Sequence, residues 1–180
     1  WEFFVTLVRS ATGNTSAGQI PKAHQASVFE HAEKTYAVIT KNQPNQQQGG
    51  FVVVDLSDPT SPTIVSEKTD VQTGDNDNPA SNWELLNGSF DVVTAIVDSV
   101  PYAVISQNLG GGGSKGGITI VKLTDGSGNI TATSPSVIRQ IQDDDDSFHG
   151  TDKTHFSYAK GIALQELNNK TYLFTTGGGG

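Results

Sequence analysis

An internal repeat constrains this chain before any other feature does. Tyr36, Tyr102 and Tyr172 stand 66 and then 70 residues apart. Each lies in a β-branched run: Lys34-Thr35-Tyr36-Ala37-Val38-Ile39-Thr40, Val100-Pro101-Tyr102-Ala103-Val104-Ile105-Ser106 and Lys170-Thr171-Tyr172-Leu173-Phe174-Thr175-Thr176. Sixteen residues before each Tyr is an apolar residue (Ile20, Leu86, Phe156), and thirteen before it a small one (Ala23, Ser89, Ala159). A second half-motif follows the first two anchors, Gly50 to Pro59 aligning with Gly117 to Gly126. A further apolar stretch comes next, at Thr63 to Ser66 and at Ser136 to Arg139. Short β-branched runs bounded by Gly, Asn, Asp and Pro are strand signals. Self-similarity at a fixed period is the signature of a repeat architecture.

Four strands in 66 to 70 residues predict an all-β fold, a β-propeller of four-stranded antiparallel blades. The units run 20–85 and 86–155, with the start of a further blade at 156–180 and outer strands of a preceding blade or an arm at 1–19. Ala159 to Leu167 carries helix formers, but its counterparts Ser89 to Val97 and Ala23 to His31 include a plain strand, so strand is predicted at all three. Closed propellers use about four to eight blades, and this chain holds about two and a half by the same repeat count. Trp1 stands first and there is no Met, so the expectation is a fragment or mature product of a longer chain, or copies that complete a ring. Exposed blade faces are then assembly surfaces for protein partners or further copies.

The segment G-F-V-V-V-D-L-S-D-P-T-S-P at Gly50 to Pro62, with K-T-Y-A-V-I-T before it, resembles the LVIVD-type repeats of secreted and cell-surface β-propeller proteins of bacteria and archaea. In the second unit Lys122 replaces the strand Asp, and Asp125-Gly126 replaces Asp-Pro. The resemblance implies the fold and a secreted or surface location. It carries no catalytic residues, and fold by itself implies no activity. Independently of the family, Gly50 and Gly117 are read as tight turns into the next strand. Asp58-Pro59 is read as a turn. The recurrent Tyr is expected to pack between sheets with its hydroxyl on a loop backbone.

Charge and composition remove several classes. Eleven Lys and Arg against nineteen Asp and Glu leave a formal charge of −8, which opposes nucleic-acid binding. No run approaches the roughly 18 apolar residues of a membrane-spanning helix. With no Cys there is neither a disulfide frame nor a thiol nucleophile.

Candidate sites are few. Asp75 and Asp77, with Asp143, Asp144 and Asp145, lie in two acidic segments at equivalent places between units. Clustered oxygens suit Ca²⁺, which takes about six to eight, although a solvated loop is the plainer account of each segment. Asn14, Asn87, Asn129 and Asn169 head N-x-[ST] sequons, candidate glycosylation sites that favour export. His24, His31, His149 and His155 form no H-x-x-x-H pair, and His149 and His155 flank Asp152 in a loop. GGGGSKGG from Gly110 lacks the spacing of a phosphate-binding loop. No G-x-S-x-G elbow is present.

The first expectation is therefore an extracellular, non-catalytic propeller with a structural, assembly or adhesion role in a surface layer, sheath or appendage. Its rival is a Ca²⁺-dependent hydrolase of a phosphate ester or lactone, with Asp91 as the axial acid. Gln25 and Gly161 stand at the equivalent positions, so no ring of carboxylates forms. A glycan-binding propeller is the third reading, with Trp83 as its aromatic.

Overall fold

The computed structural model describes residues 20, 22–42, 49–69, 86, 88–107, 116–142, 159–168 and 170–177. The fold is all-β, with no α-helix among the described residues. The first sheet holds β1 (Ala23–His31), β2 (Lys34–Lys41), β3 (Gly50–Asp55) and β4 (Thr63–Thr69). The second holds β5 (Ser89–Val97), β6 (Val100–Gln107), β7 (Gly117–Lys122) and β8 (Ser136–Gln142). The third pairs β9 (Ala159–Leu167) with β10 (Lys170–Gly177). All neighbours are antiparallel, and strand order in each sheet follows chain order. Ala159 to Leu167 is strand, paired with β10 from Leu167↔Lys170 to Ala159↔Gly177. Its helix-forming side chains are overridden by the tertiary position of the repeat.

Strand alternation gives each four-stranded sheet two apolar faces, and the sheets stack through them. Phe29, Tyr36, Val38, Phe51 and Val53 of the first sheet share one core with Leu86, Val92, Ala103, Ile105, Val121 and Leu123 of the second unit. Val104, Ile118 and Ile141 of the second sheet share another with Ala159 and Ile162 of the third. On the far face of the first sheet Ala37, Ile39, Val52 and Val54 are buried with Ile20. Leu86 and Ile20, 66 residues apart, thus serve successive sheets alike. Tyr36 is buried and stacked on Phe29, with ring centroids 5.5 Å apart. Its hydroxyl makes no hydrogen bond among the described residues, so packing alone accounts for it. Burial pushes the phenol pKa up; the Lys34 ammonium opposes this and the Asp55 carboxylate adds to it.

Gly50 has a different role from the turn expected of it. It lies within β3, paired with Lys41 on one side and Thr69 on the other. A Cβ there would fall 2.0 Å from the Lys68 carbonyl oxygen and 2.9 Å from Thr69 Cα. Close approach of β4, rather than a change of direction, requires glycine. Beside it the buried Lys41 ammonium donates to Glu67 Oε1 at 2.5 Å and to Thr69 Oγ1 at 2.7 Å, which meets the requirement that a buried charge be paired.

The β1–β2 and β5–β6 hairpins close through two-residue turns at equivalent positions, and the β9–β10 hairpin begins its turn at the corresponding residue. Ala32 and Glu33 have φ of 49° and 61°, Asp98 and Ser99 of 50° and 64°, and Asn168 of 51°. Positive φ at both central residues is the hairpin turn whose twist matches that of its strands, and it favours Asn-Gly. Ala32-Glu33 is the least suited pair. Glu33→Gly is expected to raise stability by about 0.5–1 kcal/mol, read as a higher urea midpoint at unchanged slope.

Candidate functional site

The first strands of the three sheets run side by side, and each carries a β-bulge near its start. The register slips between Ala23 and Ala26 on β1, between Ser89 and Val92 on β5, and between Ala159 and Gly161 opposite Gly177 and Thr176. The residues at these bulges, His24 and Gln25, Phe90 and Asp91, Lys160 and Gly161, line one shallow cleft of about 200 Å³. Sequence spacing identifies Asp91, Gln25 and Gly161 as equivalents, and the structure brings all three together there.

A hydroxyl serves each bulge from the second strand of its sheet. Gln25 N–H donates to Thr40 Oγ1 at 3.1 Å, Asp91 N–H to Ser106 Oγ at 3.0 Å, and Gly161 N–H to Thr176 Oγ1 at 3.1 Å. The first two hydroxyls reach the following sheet as well. Thr40 Oγ1 lies 3.0 Å from the Phe90 carbonyl oxygen, against 3.3 Å from that of Gln25, and Ser106 Oγ donates to the Lys160 carbonyl at 3.0 Å. A bulge leaves backbone groups outside the ladder, and burial makes an unpaired one costly. The hydroxyls therefore join sheet to sheet. Ser106→Ala strands the Asp91 N–H and the Lys160 carbonyl together. It is expected to cost about 1–3 kcal/mol, while Ser106→Thr, the residue type at the other two positions, holds stability near that of the parent in the same urea titration.

The Asp91 carboxylate and His24 Nδ1 are committed to neighbouring backbone groups. Asp91 Oδ1 accepts the Val92 N–H at 2.9 Å and Oδ2 the Ile162 N–H at 3.0 Å, so the carboxylate bridges β5 to β9. His24 Nδ1 contacts the Phe90 carbonyl at 2.9 Å, and its ring lies over that of Phe90 with centroids 4.0 Å apart. Because a carbonyl only accepts, Nδ1 carries the proton. His31 Nε2 likewise donates to the Gly128 carbonyl at 2.8 Å. Thr94 N–H donates to Ser27 Oγ at 3.1 Å, and the two hydroxyls are 2.8 Å apart.

Among the described residues no group of three or more His, Asp or Glu comes together to hold a metal. Asp75, Asp77, Asp143, Asp144 and Asp145 lie outside the described residues, as do His149, Asp152, His155, Trp83, Asn14, Asn87 and Asn169. Asn129 is exposed on the loop after β7, where its N–H donates to Asp125 Oδ1 at 2.9 Å.

The turn carboxylates share one electrostatic character. Burial works against ionisation of Asp55, but the Ser57 hydroxyl and N–H and the Lys34 ammonium outweigh it and hold the pKa below the ordinary range. The Thr60 hydroxyl and N–H do the same for Asp58, and the Asn129 and Ser127 N–H groups for Asp125. Asp58 and Asp125 are equivalent, and Asp125-Gly126 keeps the turn that Asp58-Pro59 makes, each carboxylate accepting the N–H two residues on. Lys34 pairs with Asp55 at 3.0 Å. In the second unit Val100 and Lys122 replace both partners, leaving neither charge facing its former mate. Carboxylates with depressed pKa stabilise the fold above the unfolded value of about 3.9, and that stability goes as pH falls through the folded values. The melting temperature is expected to fall with pH below about 4, and less steeply in a variant carrying Asp55→Asn, Asp58→Asn and Asp125→Asn.

No family model, curated protein or solved structure matches this chain.

Proposed function

We propose that the chain is part of a non-catalytic, extracellular β-propeller that acts in structure, assembly or adhesion. The observation that carries this reading is the use made of the cleft. Its carboxylate, hydroxyls and His24 Nδ1 are engaged in holding one sheet to the next, so Asp91 is spent on backbone N–H groups, where the axial acid of a hydrolase needs its oxygen facing substrate. Strands that meander in chain order within each sheet, and first strands that lie side by side, support the propeller reading. The sequons support the extracellular assignment.

The test uses protein from its natural source. Intact mass under denaturing conditions, before and after deglycosylation, separates a longer propeller (far above 19.0 kDa) from copies that assemble. A mass shift on deglycosylation supports export. Hydrolysis of a phosphate ester or lactone that requires Ca²⁺ and is lost in Asp91→Asn overturns the non-catalytic reading.

A further inference from the structure

We infer that the cleft between the three bulges binds a carboxylate-bearing sugar, a uronate residue of an acidic polysaccharide, with Lys160 on its carboxylate and His24 Nε2 accepting one of its hydroxyl protons. The inference rests on the non-catalytic, adhesive reading above and names the ligand class of that cleft.

Three residues that line the cleft, His24, Gln25 and Lys160, are exposed and keep polar groups that the fold does not use. His24 places Nδ1 on the Phe90 carbonyl at 2.9 Å, which leaves Nε2 as a lone-pair acceptor. Gln25 meets Thr40 through its backbone N–H and carbonyl, and Lys160 meets Ser106 through its carbonyl. The Gln25 carboxamide and the Lys160 ammonium have no hydrogen-bond partner among the described residues. The two ion pairs there, Lys34–Asp55 and Lys41–Glu67, do not include Lys160. Asp91 is the one acid lining the cleft, and both its oxygens accept backbone N–H groups. In a chain of net charge −8, the uncommitted charge of this cleft is therefore positive.

These groups select among ligands. A metal cation would face the Lys160 ammonium. A phosphate group carries strong acceptor oxygens, which would meet the Nε2 lone pair. A neutral sugar leaves the ammonium without a counter-charge. A uronate supplies both complements: a carboxylate for a charge-assisted bond from Lys160 and hydroxyl protons for Nε2, with the Gln25 carboxamide able to donate or accept beside them. Its ring also has an apolar C–H face. The cleft meets that face with the His24 ring, tilted 43° against Phe90 at a centroid distance of 4.0 Å, an apolar body with a polar edge. The volume of about 200 Å³ is below the about 300–1,000 Å³ of pockets that enclose drug-sized ligands. It suits a single sugar ring of a polymer that continues into solvent.

The experiment titrates trigalacturonate, galactotriose and acetate separately into the protein at its full natural length, with binding read by saturation-transfer NMR. Trigalacturonate is expected to bind saturably, and the neutral trimer and acetate about tenfold or more weaker, as for one lost hydrogen bond to a charged group. Lys160→Gln is expected to lower the trigalacturonate affinity about tenfold, to the level of galactotriose. His24→Asn keeps a donor for the Phe90 carbonyl and removes the ring and Nε2, so it weakens both trimers. An unchanged urea midpoint shows that each variant is folded. No saturable binding of trigalacturonate, equal binding of either other probe, or an unaltered affinity in folded Lys160→Gln overturns the proposal. Ca²⁺-dependent hydrolysis lost in Asp91→Asn would sink the non-catalytic reading and leave uronate binding in place, whereas failure to bind uronate leaves a structural or assembly role standing.

Discussion

Phe51→Ala is expected to lower the free energy of unfolding by about 3–5 kcal/mol, the range for removing a buried aromatic from a core. Phe51 is fully buried, with 0 % exposure, in the core that joins the first two sheets. Its ring packs from β3, the strand held between β2 and β4, so neighbours on either side are hydrogen-bonded and little collapse into the cavity is available. The measurement is urea unfolding followed by tryptophan fluorescence and circular dichroism. An unchanged slope with a much lower midpoint marks a loss of packing rather than a change in what unfolds. A loss under about 1 kcal/mol would mean that this core does not join the two sheets as described.

Gly50→Ala acts one residue away by the opposite means, overfilling instead of emptying. The added methyl would meet the Lys68 carbonyl oxygen at 2.0 Å and Thr69 Cα at 2.9 Å. Both are backbone atoms of β4, so relief requires the strand itself to move. That movement draws Glu67 and Thr69 away from the buried Lys41 ammonium, and an unpaired buried charge is costly. The expected loss is about 3 kcal/mol, with amide-exchange protection falling in β4 before β1 and β2. Gly126→Ala is the control: nothing lies within 4 Å of its would-be Cβ, and the expected change is within about 0.5 kcal/mol.

The repeat was legible because each strand carries its own alternation. The runs around Tyr36, Tyr102 and Tyr172 became the second strands of the three sheets, and Gly50 and Gly117 opened the third strands of the first two. The candidate site was legible only as positions. Spacing alone marked Gln25, Asp91 and Gly161 as equivalents, but an acid at Asp91 looked like a group facing an axis, whereas both its oxygens hold backbone N–H groups. The role of the hydroxyls that serve the bulges is not legible in the sequence, although each stands four residues after a repeat Tyr: Thr40, Ser106 and Thr176. Nothing local distinguishes a strand threonine that packs from one that caps a bulge, since the bulge lies in the neighbouring strand.

The period, the strands and their apolar faces are local properties of the chain, because side-chain alternation and turn residues act within a few positions of one another. Which face meets which, why Gly50 must be glycine, and where the polar atoms of the bulges find partners all depend on how the sheets pack. Those outcomes turn on contacts of about 3 Å between residues such as Thr40 and Phe90 or Asp91 and Ile162, far apart in the chain and brought together by the stacking of whole sheets.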